Sequence, residues 1–447
     1  MNRGSQWLPL SVPMKLLVII SSVVLTLSLT SCSVSKRTSS LKNLDSLWTS
    51  VTFGNHHAGL MLYDPDRKQT LYAHNAERYF VPASNTKLFT FYAGLKTLGD
   101  SVEALRYLVR NDSLIFWGTG DPTLLNVNVP SSKALEFLAR RPEKLFYWPG
   151  HFPQRPFGSG WAWNDYQDYY QPEISALPVY GNVVRFLASD KLAINAIPQS
   201  FVLEKDTSHA TFQVRRNWMS NQFTGTSGVV PAHFEQHVPF QTSSVLTTQL
   251  VSDTLHKRIT LLPSFSTKVY QSLSSISVDT LYKHMLQPSD NFVAEQILML
   301  VCSKIEQPFQ SKTAIDYVLK NHLTDLPDRP NWADGSGLSR YNLFTPKSII
   351  RLLEKMYTEY PAERIFPLLA IGGQAGSIKN AYKSADGKPF IFAKTGSLSG
   401  VYNLSGYLLT KSGKTLLFSF MNNNFNRPTS EIRRDMERIL TQIREKY

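Results

Sequence analysis

The sequence predicts a mixed α/β (α+β) fold, and three observations lead to this prediction. The body begins with a hairpin pattern and then a helical one, a long middle part holds short strand-like runs and many turn residues, and the last part has clear helix and strand patterns. The chain has 447 residues, of which 42% are apolar, 12% aromatic and 18% charged, with two cysteines. This composition excludes a disordered protein and a disulfide scaffold, and the length supports two or three domains.

The first 32 residues differ in character from the rest of the chain. Their only charged residues are Arg3 and Lys15, and an apolar run from Leu16 to Leu29 is followed by Thr-Ser-Cys32. Small residues directly before a cysteine resemble a bacterial lipoprotein signal, in which the cysteine is acylated and becomes the mature N-terminus. This resemblance implies lipidation at Cys32.

We therefore expect residues 1–32 to be a lipoprotein signal and 33–44 to be a flexible polar tether. The body is expected in the periplasm, held at a membrane by the lipid. Ser33, rather than aspartate, after the cysteine favours the outer membrane. An uncleaved membrane anchor is the alternative, and the true start is Met1 or Met14.

The next segment, residues 45–99, is predicted to join a hairpin to a helix. Two runs rich in apolar and aromatic residues, 59–63 and 70–72, flank a turn. Apolar residues then recur at intervals of three and four over 88–98, and Gly99 ends the pattern.

Residues 100–268 are predicted to be an insertion, because strand-like runs are short there and turn residues are frequent. The remainder, 269–447, has longer and clearer patterns, and no internal repeat is evident. The patterns predict helices over 279–286, 291–302 and 348–357, the last of them capped by Thr345-Pro346. Strands are predicted over 389–393, 404–409 and 415–421. A last helix is predicted to begin with Ser430 as its cap and to have one apolar stripe, made of Ile432, Met436, Ile439, Leu440 and Ile443.

Charge and motif content narrow the function classes. Residues 1–32 hold two of the 47 basic residues and none of the 34 acidic ones, so the rest of the chain has a net charge near +11. There is no block of five or six like charges and no nucleic-acid module, so nucleic acid is not an expected partner. No H-E-x-x-H occurs, and we expect neither a metal nor another cofactor. Cys302 follows an apolar stretch and is predicted to be a buried, inert thiol.

Three short strings together match the S-x-x-K, S-D-N and K-T-G set of class A β-lactamases and penicillin-binding proteins. Each string is weak alone, since S-x-x-K also occurs twice in the tether. Their order along the chain and their predicted settings make the combination specific. The strings are Ser84-Asn85-Thr86-Lys87, Ser289-Asp290-Asn291 and Lys394-Thr395-Gly396.

The first string suits a serine nucleophile. Residues i and i+3 share a helix face, so the Lys87 amine would lie within reach of the Ser84 hydroxyl. To take the serine proton Lys87 must be neutral, and burial with a nearby cation such as Lys394 favours the neutral amine. Taken alone, Ser84 could be a helix N-cap and Lys87 a solvated lysine.

The other two strings suit proton transfer and substrate binding. Ser289 can relay a proton, and the Asn291 amide offers a donor and an acceptor to a peptide bond. Lys394 and Thr395 can hold a carboxylate at the end of a strand, where Gly396 lets a ligand approach closely. The alternatives are a helix N-cap at Ser289 and a β-turn over 394–396.

With these motifs the sequence resembles the class C low-molecular-mass penicillin-binding proteins, D-alanyl-D-alanine carboxypeptidases and endopeptidases with a large insert between the first two motifs. The resemblance covers nearly the whole mature chain. It implies a β-lactamase/transpeptidase-like domain, with an antiparallel sheet flanked by helices, made of 45–99 and 269–447 and interrupted by small, mainly-β inserted domains. Beyond the three motifs it rests on the stretches 80–84, 118–124, 160–165, 334–342 and 401–406.

The resemblance also implies roles for single residues. Ser84 would be acylated by the penultimate D-alanine of a peptidoglycan stem peptide, with Lys87 as base and Ser289 as relay. Asn291 would contact the substrate, and β-lactam antibiotics would acylate the same serine. The remaining implied roles are carboxylate binding by Lys394, Thr395 and Gly396, an oxyanion hole from the backbone N–H groups of Ser84 and Ser397, and recognition of the diamino-acid side chain by Asp165 and Arg340.

Two features separate this chain from the family pattern, and two other functions remain open. Ser399 stands where family members have glutamine after Lys-Thr-Gly-Ser-Leu, and the implied lipid anchor replaces a plain cleaved signal.

One alternative function is a β-lactamase or esterase on the same fold. The other is a non-catalytic envelope lipoprotein that binds peptidoglycan. The sequence leaves open the oligomeric state and the balance between carboxypeptidase and endopeptidase activity.

Overall fold

The computed structural model describes residues 53–189, 193–206 and 211–447. The predicted signal, the tether and Cys32 lie outside these residues, so those expectations remain predictions. Residues 56–447 form one compact unit. Among the described residues, no helix is both long enough and apolar enough to cross a bilayer.

Seventeen strands occur in the described residues. In chain order they are β1 His57–Asp64, β2 Gln69–His74, β3 Ser101–Arg110, β4 Ser113–Gly118, β5 Lys144–Tyr147, β6 Val183–Ala188, β7 Ile194–Ile197, β8 Leu203–Lys205, β9 Val214–Arg216, β10 Phe223–Gly225, β11 Glu235–Pro239, β12 Ile259–Leu261, β13 Gln271–Ser277, β14 Ala370–Ile371, β15 Ile391–Leu398, β16 Val401–Leu409 and β17 Thr415–Asn423.

The α-helices of the described residues are fewer, and most of them follow residue 268. In chain order they are α1 Thr86–Thr97, α2 Lys133–Arg140, α3 Ser244–Leu255, α4 Val278–Leu286, α5 Asn291–Lys304, α6 Ser311–Asn321, α7 Pro346–Glu359, α8 Ala362–Ile365 and α9 Thr429–Lys446.

The main sheet is antiparallel, with strand order β14-β15-β16-β17-β1-β2. Strands β16 and β17 are buried along almost their whole length, so both of their faces are covered. Met421 packs in the same core as α1, α5 and α7, whereas the next residue, Asn422, contacts Met436 of α9 through a 3.2 Å Nδ2–Sδ distance. Because neighbouring strand residues point to opposite faces, α9 covers one side of the sheet, and helices of the Met421 core, including α1, α5 and α7, lie on the second.

The longer sequence patterns predict their elements correctly. The hairpin is β1 and β2, the first periodic helix is α1, and α4 and α5 begin within a residue of the predicted starts. Thr345 caps α7, because its side chain accepts a 3.0 Å hydrogen bond from the backbone N–H of Ser348. The predicted apolar stripe of α9 is buried.

Two predicted boundaries are wrong. Ser430 does not cap the last helix, because α9 begins at Thr429, after Pro428, and has no side-chain cap. The strand predicted over 389–393 does not end before Lys394, because its pairing with β16 continues to the pair Leu398 and Val401. Lys394, Thr395 and Gly396 therefore lie inside β15, and the β-turn alternative for them is excluded.

The middle of the chain has its own sheets and its own apolar core. A five-stranded sheet has the order β12-β5-β4-β3-β13, and two three-stranded sheets have the orders β11-β6-β7 and β8-β10-β9. The edge strand β13 lies just after residue 268, so this sheet extends beyond the predicted insertion. The division of the chain into a catalytic domain and inserted domains remains a prediction.

Cys302 is buried in α5. Burial raises the pKa of its thiol to about 11, which suppresses the reactive thiolate at neutral pH.

Candidate active site

The turn that carries Ser84 lies directly before α1. Residues Ala83–Asn85 form a single 3-10 turn, so Lys87 lies one turn after Ser84, as the spacing predicts. The Asn85 side chain donates a 2.9 Å hydrogen bond from Nδ2 to the carbonyl oxygen of Lys394. This bond ties the turn to strand β15.

Three oxygen atoms surround the Lys87 amine. Its Nζ lies 2.9 Å from Ser84 Oγ, 2.6 Å from Asn291 Oδ1 and 2.6 Å from the carbonyl oxygen of Ser336. The side chain is completely buried. Burial lowers the pKa of Lys87 to about 8, against the opposing effect of nearby carboxylates. The solvated-lysine alternative is therefore excluded.

The second motif begins α5, and its three residues have separate roles. Asp290 is the N-cap, and its Oδ1 accepts a 2.9 Å hydrogen bond from the backbone N–H of Val293. Ser289 is therefore not the cap, because it stands one residue earlier with a left-handed φ of 68°. Its Oγ instead lies 2.9 Å from Lys394 Nζ. Asn291 also donates from Nδ2 to the Tyr170 carbonyl at 3.1 Å.

The third motif lies on β15, and this strand packs closely against the turn that carries Ser84. The Lys394 side chain is fully buried, and burial together with the charge of Lys87 holds its pKa well below the usual range. Thr395 Oγ1 lies 2.7 Å from Ser377 Oγ. A Cβ atom at Gly396 would come within 2.3 Å of the Pro82 carbonyl oxygen, so only glycine fits there.

One edge of β15 is available to a ligand. Strand β16 pairs with β15 along its whole length, whereas on the other edge, within the described residues, β14 pairs only with Phe392 and Ala393. Within the stretch 394–398, Ser397 and Leu398 line the cleft, and there an extended peptide can add as a further strand.

Six of the predicted site residues line one cleft of about 810 Å³, whereas Thr395 and Gly396 do not line it. Lys87 and Lys394 lie buried behind its wall, in contact with Ser84 and Ser289. The Arg340 guanidinium donates a 3.1 Å hydrogen bond to the Ser399 carbonyl, at the position where the chain departs from the family pattern. The predicted residues that line the cleft are Ser84, Asp165, Ser289, Asn291, Arg340 and Ser397.

Sequence reasoning missed two buried carboxylates behind the site. Glu295 accepts hydrogen bonds from the backbone N–H groups of Gly335, at 3.1 Å, and Ser336, at 2.8 Å. Asp334 accepts from Gly337, Ser339, Asn342 and Trp161. Together they fix the loop whose Ser336 carbonyl contacts Lys87. Burial beside Asp334 raises the pKa of Glu295. In the sequence, Glu295 stands out only as a glutamate within the apolar pattern of α5, while Asp334 belongs to the stretch 334–342 on which the resemblance rests but is given no role there.

Comparison with known proteins identifies the family. The model of the D-Ala-D-Ala carboxypeptidase 3 (S13) family matches residues 40–443, which is most of the chain. The chain belongs to the S13 family. The predicted family and enzyme class, a serine-type D-alanyl-D-alanine carboxypeptidase that acts on peptidoglycan, are confirmed.

Similar proteins extend over most of this S13 chain. It is 25% identical to the D-alanyl-D-alanine carboxypeptidase DacB of Haemophilus influenzae, over 81% of this chain and 84% of that protein. It is 22% identical to the penicillin-sensitive carboxypeptidase A of Dictyostelium discoideum, over 86% of each. The crystal structure of penicillin-binding protein 4 (dacB) from Haemophilus influenzae superposes with a TM-score of 0.73 at 21% identity and covers 90% of this chain and 99% of that one. The predicted fold class is confirmed by this match.

Replacing Gly337 by alanine is expected to disturb the serine turn. Gly337 has a φ of 85°, and a Cβ there would lie 2.0 Å from the Ala83 carbonyl oxygen. Gly413 has a φ of 83° but has no atom within 4 Å of its Cβ position, so Gly413→Ala is a matched control that carries only the backbone strain. That strain alone costs about 1–3 kcal/mol.

In denaturant titrations we expect Gly337→Ala to lose more unfolding free energy than Gly413→Ala, by about 1–3 kcal/mol. Only Gly337→Ala should also slow acylation by labelled penicillin. Equal losses in both variants would show that the turn tolerates displacement.

Proposed function

We propose that the protein removes the terminal D-alanine of peptidoglycan stem peptides through an ester formed on Ser84, and that it also cleaves cross-links between stem peptides. Ser84 Oγ attacks the carbonyl carbon of the penultimate D-alanine, and its proton passes to Lys87. The C–N bond breaks, and the leaving amine takes a proton by way of Ser289. Water then hydrolyses the ester. β-Lactams acylate the same serine.

The hydrogen bonds of Lys87 are the observation that carries this proposal. A neutral amine has two N–H groups and one lone pair. The carbonyl oxygens of Asn291 and Ser336 can only accept hydrogen bonds, so they take the two N–H groups. The third neighbour, Ser84 Oγ, is a hydroxyl that can donate, and the lone pair faces it at 2.9 Å. Lys87 is thus poised to accept the serine proton.

The strand edge and the second lysine support the handling of the substrate. The end of β15 that lines the cleft can pair with an extended peptide, and the N–H groups of Ser84 and Ser397 then polarise the scissile carbonyl. Losing one donor of such a pair typically costs about 10²–10³ in rate. Lys394 and Thr395 suit the terminal carboxylate, while the contact between Lys394 and Ser289 supports proton return to the leaving amine.

Charged groups on the cleft wall support recognition of the stem peptide. Asp165 and Arg340 carry opposite charges and line the same cleft, and a diamino-acid side chain of the stem can present an amine and a carboxylate. The Arg340 guanidinium is oriented by its hydrogen bond to the carbonyl oxygen of Ser399. Ser399 stands at the position where other family members have glutamine. A cleft of about 810 Å³ is large enough for a short peptide.

The location of the enzyme is proposed from the sequence. Acylation of Cys32 would hold the enzyme in the periplasm, at the outer membrane, within reach of peptidoglycan. Mass spectrometry of the N-terminal peptide of protein purified from membranes tests this proposal. A diacylglyceryl group on Cys32 would support it, whereas an intact residue 1–32 segment would favour the uncleaved anchor.

Labelled benzylpenicillin and a D-Ala-D-Ala pentapeptide together test the proposed activity. We expect the full chain in detergent to form a long-lived penicilloyl adduct, detected by intact mass, and to release D-alanine from the pentapeptide. Rapid penicillin hydrolysis without a lasting adduct would favour the β-lactamase alternative. Absence of both reactions would favour the non-catalytic lipoprotein.

A further inference from the structure

We propose that an exposed aromatic surface beside the cleft, formed by Trp163, Trp218 and Met219 and named here the aromatic platform, binds the glycan strand of peptidoglycan. This inference rests on the proposed action on stem peptides. It concerns a part of the substrate that the cleft does not hold.

The platform is apolar and unusually accessible. Trp163 is 74% exposed, Trp218 43% and Met219 77%. The two indole rings stand perpendicular, with their centroids 6.2 Å apart. Exposed apolar side chains are unremarkable singly, but a contiguous group of large ones marks a binding surface.

A buried charge holds the platform in place. Trp218 and Met219 lie in the tight connection between β9 and β10, and Arg216 at the end of β9 is only 3% exposed. Its Nη1 donates to the carbonyl oxygens of Asn217, at 3.0 Å, and Ser220, at 3.2 Å. Its Nη2 also donates a 3.5 Å hydrogen bond to the Tyr166 carbonyl, and these bonds fix the loop that exposes the tryptophan.

Tyr166 joins this loop to the segment of Trp163. The Tyr166 ring packs edge-on against Trp218 with centroids 4.6 Å apart, and its hydroxyl donates a 2.8 Å bond to the Arg216 carbonyl. The Arg216 guanidinium lies 4.9 Å from the same ring. Residues distant in sequence therefore form one rigid surface, which lowers the entropy cost of binding a ligand.

The platform is continuous with the catalytic cleft. Trp163–Asp165 form one 3-10 turn, in which Asp165 lines the cleft while Trp163 faces outward, and Ala162 before it lines the cleft as well. Further along the same segment, the Tyr170 carbonyl accepts the hydrogen bond from Asn291. A ligand that leaves the cleft past Asp165 therefore meets the platform.

The glycan is the occupant that this position favours. Each stem peptide is covalently attached to a strand of N-acetylated sugars, so a stem held in the cleft brings its glycan to the rim. Pyranose rings have apolar C–H faces that pack on aromatic rings. The platform side chains are uncharged, which suits a neutral polysaccharide better than an anionic lipid surface.

Two substrates that differ only in the glycan provide the test. We compare the wild-type full chain with the Trp163→Ala/Trp218→Ala double variant on a free stem pentapeptide and on glycan oligomers that bear the same pentapeptide. We expect kcat/KM on the free peptide to change less than about 2-fold, and kcat/KM on the oligomers to fall about 10-fold, from the usual contribution of aromatic contacts. Val229→Ala, which removes another exposed apolar side chain, is the control and should change neither value.

Direct binding separates failure of this proposal from failure of the proposed activity. Glycan oligomers stripped of peptides should quench the tryptophan fluorescence of the wild type, with or without a penicilloyl group on Ser84. They should also quench that of a Ser84→Ala variant, but not that of the Trp163→Ala/Trp218→Ala double variant. Equal losses on both substrates would indicate a structural role and overturn the proposal, as would unchanged kinetics. Binding of phospholipid vesicles that depends on Trp163 and Trp218, with glycan binding unchanged, would assign the surface to a membrane instead.

Discussion

Ser84→Ala is expected to abolish acylation by penicillin and to lower D-alanine release about 10⁴-fold or more, because removal of a serine nucleophile leaves only binding and oxyanion contributions. No second hydroxyl can replace it through Lys87, since the other two oxygen atoms around the amine are carbonyl oxygens. Intact-mass analysis after incubation with labelled benzylpenicillin measures the adduct, and chromatography of the released D-alanine measures turnover.

Ser132→Ala is the matched control for this variant. Ser132 precedes α2, is exposed, and makes no capping hydrogen bond through its side chain, so we expect wild-type adduct and turnover. Both variants should unfold at the wild-type denaturant midpoint within error. An adduct that persists in Ser84→Ala would mean that another residue is the nucleophile.

Lys87→Arg is expected to reduce kcat/KM by about 10²–10⁴, the usual contribution of a general base. A guanidinium stays protonated at any working pH, so it can donate to Asn291 and the Ser336 carbonyl but cannot accept the proton of Ser84. Acylation by penicillin should slow by a similar factor, measured by quenched-flow labelling. Lys96→Arg, in the last turn of the same helix, should retain its ion pair with Glu359 and wild-type activity.

The pH profile gives an independent test of the same role. With a pKa of about 8, Lys87 is mostly an ammonium at lower pH and mostly a free amine above it. Because only the amine can accept a proton, log(kcat/KM) should rise with pH up to about 8 and then level off. The residual activity of Lys87→Arg should lack this rise. A wild-type rate that falls as pH rises from 7 to 9 would contradict a neutral lysine base.

The parts of the site that sequence predicts are those with local patterns. Ser84 and Lys87 share a helix face, and Asn291 begins a long apolar helix, so the local pattern places these two motifs in their elements. Helices α1 and α5 and strands β16 and β17 are largely buried along their length and are predicted nearly in full, whereas only the start of β15 is predicted. The sequence signals for helix starts are weaker. Serine favours the N-cap position, which predicts a cap at Ser430, but α9 begins two residues after Arg427, directly after Pro428.

The parts that sequence misses depend on contacts between distant segments. Asn85 is a plain polar residue in the motif, and its bond to the Lys394 carbonyl exists only once β15 lies beside the serine turn. Glu295 and Asp334 acquire their role from shared burial behind Lys87, which no spacing predicts. Trp218 lies in the predicted insertion, where short strands give weak patterns, so its position beside Trp163 could not be foreseen.

The order of strands in the main sheet has a consequence for biosynthesis. The first strand, β1, pairs with the last one, β17, and the backbone N–H of Val81, just before the serine turn, donates a 2.6 Å hydrogen bond to the side-chain Oδ1 of Asn423, 342 residues later. Contacts of such separation form late, because the long loop between them must close first. The serine turn is therefore completed only after the C-terminal strands have been synthesised. A nascent chain, or one terminated before β17, lacks the completed serine turn and is expected to be inactive.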